Sequence, residues 1–219
     1  HQTPFHVQER VGVLVSNHTS FFDTFLMMYL ACPAFVAKHD VREWPLIGSI
    51  AETLQCVFVQ RKLPTEPPRP LLHGGVSETV RERIEEAHRI KSDPTYASPW
   101  AFPAVFVFPE GTTTNGCYLI SFRTGAFRAN LPVQPIVLRY EWENCSPSWE
   151  SVPAMLSVWR VLSQVYNTAS ITILPSMVPP EEADPEDPAR FSVHVRQAIA
   201  DASKIPVVET QAAAKWGLH

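Results

Sequence analysis

Residues 11–31 read VGVLVSNHTSFFDTFLMMYLA. The first seven are a short, β-branched run that ends in polar residues, the pattern of a buried strand. The last thirteen are apolar almost all round and long enough for a helix, with Thr19 or Ser20 available to cap it. SNHTS spans their junction, so the stretch predicts a strand, a polar loop and a helix in direct succession. Strand ends that feed helix N-termini are where α/β folds place their chemistry. His18 sits on that loop, and Asp23 follows it after four intervening residues.

The spacing decides nothing alone, because His88 and Asp93 in HRIKSD repeat it. His88 falls near the end of a charged helical segment, where an imidazole is favourable through the helix dipole. That role suffices for it. His18 follows a strand and precedes a helix start, so the returning Asp23 carboxylate can meet one ring nitrogen and fix the tautomer. The other nitrogen is then available to take a proton from a hydroxyl. From the residues alone, a satisfied polar residue at a strand end is an equally good account of His18.

The pattern seen at 11–31 recurs along the chain. AFVAK (34–38) and QCVFVQR (55–61) read as strands, with PLIGSIAETL (45–54) a short helix between them. GGVSETVRERIEEAHRIK (74–91) is an amphipathic helix with Val76, Val80, Ile84, Ala87 and His88 on one stripe. PAVFVFP (103–109), LPVQPIVLRY (131–140) and ASITILP (169–175) read as further strands, and 149–166 and 188–204 as helices. LPTEPPRP (63–70) is a Pro-rich connection. Strands alternating with helices predict an α/β fold, a single domain spanning 1–219 with a largely parallel central sheet flanked by helices. Continuous apolar strands such as AVFVF suit a sheet covered on both faces.

The bulk properties agree. The chain has 219 residues, 45% of them hydrophobic, with 12 Phe and 6 Trp, which supplies one sizeable core. Its formal charge of -4 gives no support for nucleic-acid binding. The four Cys, at 32, 56, 117 and 145, show no metal-knuckle spacing; they read as reduced thiols in or near the core of a cytosol-facing domain. No apolar run reaches the roughly 18–20 residues of a membrane-spanning helix.

Two more stretches carry candidate chemistry. VFVFPEGTTTNG (105–116) follows a strand with a carboxylate, a glycine and three threonines. Gly111 permits close backbone approach or an unusual dihedral. Glu110 and the hydroxyls lie at the same sheet edge as His18, and SFRTGAF (121–127) adds Arg123 as a candidate phosphate partner and Gly125 as a tight-packing position. VFVQRK (57–62) places Arg61 and Lys62 just past a strand, able to meet a phosphate, although basic residues there are commonly just solvated.

Taken in order, these stretches resemble the lysophospholipid acyltransferases related to the glycerol-phosphate acyltransferases. NHTSFFD resembles that family's first block, with His18 and Asp23; VFVQR its second, ending in Arg61; FPEGTTTNG its third, with Glu110 and Gly111; LPVQPIVLRY its fourth, around Pro135. The resemblance runs from about residue 11 to 202. FPEGTTTNG, FRTGAF and PVQPIVLRY together look most like the lysophosphatidylcholine and lyso-platelet-activating-factor branch. Two departures stand out. Gln60 replaces an Asp that many relatives carry before the block-two Arg, and Thr113 replaces a basic residue that phosphatidic-acid-forming relatives carry. Both fit an acceptor with a larger head group, such as choline.

The resemblance implies transfer of an acyl chain from acyl-CoA to the free hydroxyl of a lysophospholipid, in phospholipid synthesis or remodelling. His18 and Asp23 would be catalytic. Arg61, Glu110, Gly111, Thr112, Arg123 and Pro135 would line the substrate site, with Glu110 either accepting a hydroxyl hydrogen bond or orienting Arg61. Acyl-CoA enters as co-substrate; no cofactor and no metal are expected. Both substrates are amphiphiles, which implies a membrane surface, with the endoplasmic reticulum and a cytosol-facing domain expected. The chain reads as a fragment of a longer membrane-associated protein. A CoA-independent phospholipid transacylase and a silent lipid- or acyl-CoA-binding domain are the competing readings. The segment 149–166 bears Trp149, Val152, Met155, Leu156, Trp159, Leu162 and Tyr166 at near-helical spacing. A single cation, Arg160, on its polar face favours a core-facing helix over one lying in a lipid interface.

Overall fold

The computed structural model describes residues 11–59, 76–93, 95–98, 102–141, 146–148, 153–180 and 187–210. Arg61, Gln60, Lys62, the Pro-rich stretch at 63–70, Cys145 and Trp149 lie outside them. Among the described residues, six strands form one sheet: β1 (Val13–Ser16), β2 (Ala34–Lys38), β3 (Val57–Val59), β4 (Val105–Val107), β5 (Val133–Glu141) and β6 (Thr168–Ile173). Their spatial order is β3-β2-β4-β1-β5-β6. All neighbours run parallel except β5 and β6. Five α-helices accompany them among the described residues: α1 (Phe22–Ala31), α2 (Ile47–Thr53), α3 (Val76–Ser92), α4 (Ala154–Leu162) and α5 (Pro188–Ser203).

The pleat divides the core in two. Val13 and Val15 of β1 point to one face and pack with Val80, Ile84 and Ala87 of α3 and Phe191, Val195 and Ile199 of α5. Leu14, between them, points to the other face and joins Met27 of α1, Phe35, Phe106, Ile136 and Leu138. All the β1 residues are buried, as a strand covered on both faces must be. Of the predicted stripe on α3, Val80, Ile84 and Ala87 are buried at 4% exposure or less and His88 is partly buried.

Several expectations need correction. His88 does more than complement a helix dipole: α3 passes so close to the residue before β1 that a Cβ on Gly12 would lie 2.7 Å from the His88 backbone nitrogen. Burial there lowers the His88 pKa. Asp93 turns instead to the backbone N–H and hydroxyl of Thr95. Helix α1 starts at Phe22; Phe21 at its N-cap makes no side-chain cap bond, but Ser20 Oγ accepts the Phe22 N–H (3.3 Å), so of the two anticipated caps Ser20 serves and Thr19 does not. Gly125 is not tightly packed, since a Cβ there would meet only Ser77 Oγ, at 4.0 Å. Cys32 and Cys117 are exposed free thiols rather than core residues, and Cys56 is partly buried.

Helix α4 also reverses its expectation. Ser157 and Val161, one turn apart, face inward, at 3% and 1% exposure. The apolar stripe of Met155, Trp159 and Leu162 is 69–79% exposed. The inward face is thus the narrow one, and the large apolar side chains meet solvent. No described helix is long and apolar enough to cross a membrane.

Candidate active site

Strand β1 ends at Ser16, and three interactions shape the loop beyond it. Asn17, 1% exposed, donates from Nδ2 to the Leu138 carbonyl (2.8 Å) and accepts the Leu138 N–H on Oδ1 (2.9 Å). This side chain continues the β1–β5 ladder by one rung after the strand has turned away. Next, the His18 N–H donates to Glu110 Oε1 (2.8 Å). The His18 carbonyl then accepts the Thr114 N–H (2.8 Å). The PEGT loop after β4 therefore holds residue 18 by both of its backbone polar groups.

The imidazole is fixed by two more partners. Its Nδ1 meets Asp23 Oδ2 at 2.8 Å, so the two side chains singled out by the sequence do converge. Its ring stacks on Phe108, with centroids 3.8 Å apart and planes 13° from parallel. The His18 side chain is 18% exposed and Asp23 is 0% exposed. Asp23 Oδ2 also accepts the N–H groups of Thr19 (2.7 Å) and Ser20 (2.9 Å), so the loop wraps its own carboxylate. These bonds add to the Ser20 Oγ contact with the Phe22 N–H at the start of α1. Oδ1 accepts the Tyr140 hydroxyl at 2.5 Å. Burial, then the neighbouring Asp23 charge, pushes the Tyr140 phenol well above its ordinary range, so it remains a donor.

Glu110 is fully buried, and its two oxygens take backbone amides, His18 N–H on one and Ile120 N–H (3.4 Å) on the other. It organises loops as well as lying at the sheet edge. Gly111 has φ +71°, the left-handed conformation anticipated for it, and a Cβ there would stand 2.6 Å from Arg123 Nε. Arg123 thus lies directly across the PEGT loop, its own N–H donating to the Pro109 carbonyl. Thr112 is half-buried on the same loop. Pro135 is a buried residue within β5, opposite Val15, and its carbonyl accepts the Leu174 N–H.

The stretch that carries Ile120 is held from outside by residues 206–210. Leu119 N–H donates to the Pro206 carbonyl, Val208 N–H to the Leu119 carbonyl and Ser121 N–H to the Thr210 carbonyl. Arg196, 4% exposed, ion-pairs with Glu209 and fastens this segment to α5.

Sequence reasoning missed Asn17, Phe108, Thr114 and Tyr140. All four lay within quoted stretches. Their roles depend on which strands become neighbours, and only Phe108 and Thr114 could have been suspected from proximity to Glu110.

A family model described as Acyltransferase matches residues 2–139. The chain belongs to the acyltransferase family. It is 41% identical over 192 residues to lysophospholipid acyltransferase LPEAT1 of Arabidopsis thaliana, covering 88% of this chain and 44% of that protein. It is 32% identical over 197 residues to lysophosphatidylcholine acyltransferase 1 of Danio rerio, covering 89% of this chain and 34% of the other. The chain thus spans less than half the length of these relatives. A solved structure, the 1-acyl-sn-glycerophosphate acyltransferase PlsC of Thermotoga maritima, superposes with a TM-score of 0.56 at 17% identity. It covers 90% of this chain and 66% of its own, and shows the same fold.

Proposed function

We propose that this acyltransferase domain transfers a fatty acyl chain from acyl-CoA to the free hydroxyl of a lysophospholipid, with lysophosphatidylcholine-like acceptors favoured. The observation that carries the reading is the His18 Nδ1 to Asp23 Oδ2 contact beside the PEGT loop. With Nδ1 committed to the carboxylate, Nε2 is the ring atom that takes the acceptor's proton. The acceptor oxygen attacks the thioester carbonyl carbon, the C–S bond breaks, and the CoA thiolate leaves and takes the proton back from the imidazolium. Asp23 supports the positive ring between those steps, and the stacked Phe108 face does so too. Arg123, across Gly111, supplies a cation for a phosphate, and Arg61, Thr112 and Pro135 keep the substrate-site roles that the resemblance implies for them.

The decisive experiment presents the protein with labelled acyl-CoA and a panel of lysophospholipids differing in head group, reading the product by head group. Label in phosphatidylcholine supports the reading. Transfer that needs no acyl-CoA would replace it with a transacylase, and binding without transfer would leave a silent lipid-binding domain.

We further place the site at a membrane surface, with the endoplasmic reticulum as the expected compartment. Trp159, Met155 and Leu162 form the outward stripe of α4, with Arg160 beside them. Burying one such side chain in the acyl boundary is worth about 1.5–3 kcal/mol. Trp159→Asp should therefore weaken co-sedimentation with phosphatidylcholine vesicles by about tenfold or more. Turnover of a water-soluble short-chain lysophospholipid should be unchanged. Equal vesicle binding by the variant would remove α4 from the membrane contact.

A further inference from the structure

The reading of His18 as base leaves a question about its carboxylate. An aspartate's terminal torsion is soft. Three of the donors to Asp23 (His18 Nδ1 and the Thr19 and Ser20 amides) converge on one oxygen, Oδ2. Nothing in that set restrains Oδ1. The Tyr140 hydroxyl does, and the sheet explains why it can. Pairing of β5 with β1 ends at Ser16 opposite Ile136, yet β5 continues to Glu141, backed on its other edge by β6 as far as Thr168. The Asn17 side chain ties the overhang at Leu138, and Tyr140 follows two residues later.

We propose that Tyr140 is a positioning residue for acyl transfer: its hydroxyl pins Oδ1 of Asp23, keeps Oδ2 on His18 Nδ1, and so aims Nε2 at the acceptor hydroxyl. The inference rests on the reading of His18 as the base. It differs from a packing role, because a phenol that served only to fill space would not direct its hydroxyl at the one unrestrained oxygen of a buried carboxylate. The phenol remains protonated beside Asp23, as the bond requires.

Tyr140→Phe keeps the ring and removes only this bond. A hydrogen bond to a charged group of this kind corresponds to about tenfold in rate. The expected result is a kcat lowered about tenfold, with KM for acyl-CoA and for the lysophospholipid unchanged. The proton on His18 Nδ1, visible by NMR as a downfield resonance absent from His18→Ala, should move in the Tyr140→Phe protein. A kcat equal to wild type, a loss confined to KM, or an unmoved resonance would each overturn the proposal. Should Tyr140→Phe not fold, 3-fluorotyrosine at position 140 carries the same readout, since it preserves the shape and alters the donor's acidity. A shifted resonance there supports the proposal, and an unshifted one overturns it. Residual transfer by His18→Ala at the wild-type rate would instead defeat the underlying reading of the base, so the two failures are distinguishable.

Discussion

His18→Ala is expected to lower kcat for acyl transfer by about 10²–10⁴-fold, the range that general-base assistance supplies. The imidazole is 18% exposed, and the contacts holding the surrounding loop run through its backbone and through Asp23, so its removal leaves most of the scaffold in place. Thermal unfolding and vesicle binding of the variant should stay near wild type while turnover collapses. The control is His88→Ala, which removes an imidazole with the same offset to an acid. His88 meets Gly12, just before β1, through its backbone and Cβ rather than its ring, and Asp93 is engaged with Thr95. Loss of the ring should leave turnover near wild type. Initial rates for both variants at saturating acyl-CoA decide the matter, and near-normal transfer by His18→Ala would sink the assignment.

Glu110→Ala should be the most damaging substitution to the scaffold. The carboxylate is 0% exposed and receives the N–H groups of His18 and Ile120. Truncation strands both amides without that acceptor, at about 1–3 kcal/mol each, and opens a cavity besides. A loss of roughly 3–5 kcal/mol in a urea titration is the expected outcome. Activity should fall too, even at temperatures where the variant stays folded, because a displacement near 1 Å of a catalytic group can cost about 100-fold. Glu110→Ala with a wild-type urea midpoint and wild-type kcat would show that the two loops hold together without it.

Much of the architecture could be read from the chain because its strands are continuous apolar runs and its helices carry clear periodicity. β1, β4 and β5 fall where those runs predict, and α3 buries Val80, Ile84 and Ala87 of the anticipated stripe. Periodicity is silent on what an apolar stripe faces. Helix α4 shows this: its large side chains were expected to pack inward, and it is Ser157 and Val161 that do so. The antiparallel setting of β6 likewise follows from a long-range pairing that local pattern does not encode. At the site, His18 and Asp23 were legible because they lie five positions apart, one on the loop and one in the first turn of α1, within reach of each other by local geometry. Tyr140 was not, because it lies 117 positions from Asp23 and only strand order brings them together. Glu110 was found by its neighbours, but its engagement with backbone amides could not be inferred, since main-chain donors carry no sequence signature.

The double tether on residue 18, Glu110 on its amide and Thr114 on its carbonyl, has a consequence for how turnover begins. The entropy of ordering that loop is settled when the chain folds, before any lipid arrives. Acceptor and thioester therefore meet a base already in register, and their binding energy remains available for desolvating the reacting hydroxyl and bringing two amphiphiles into line.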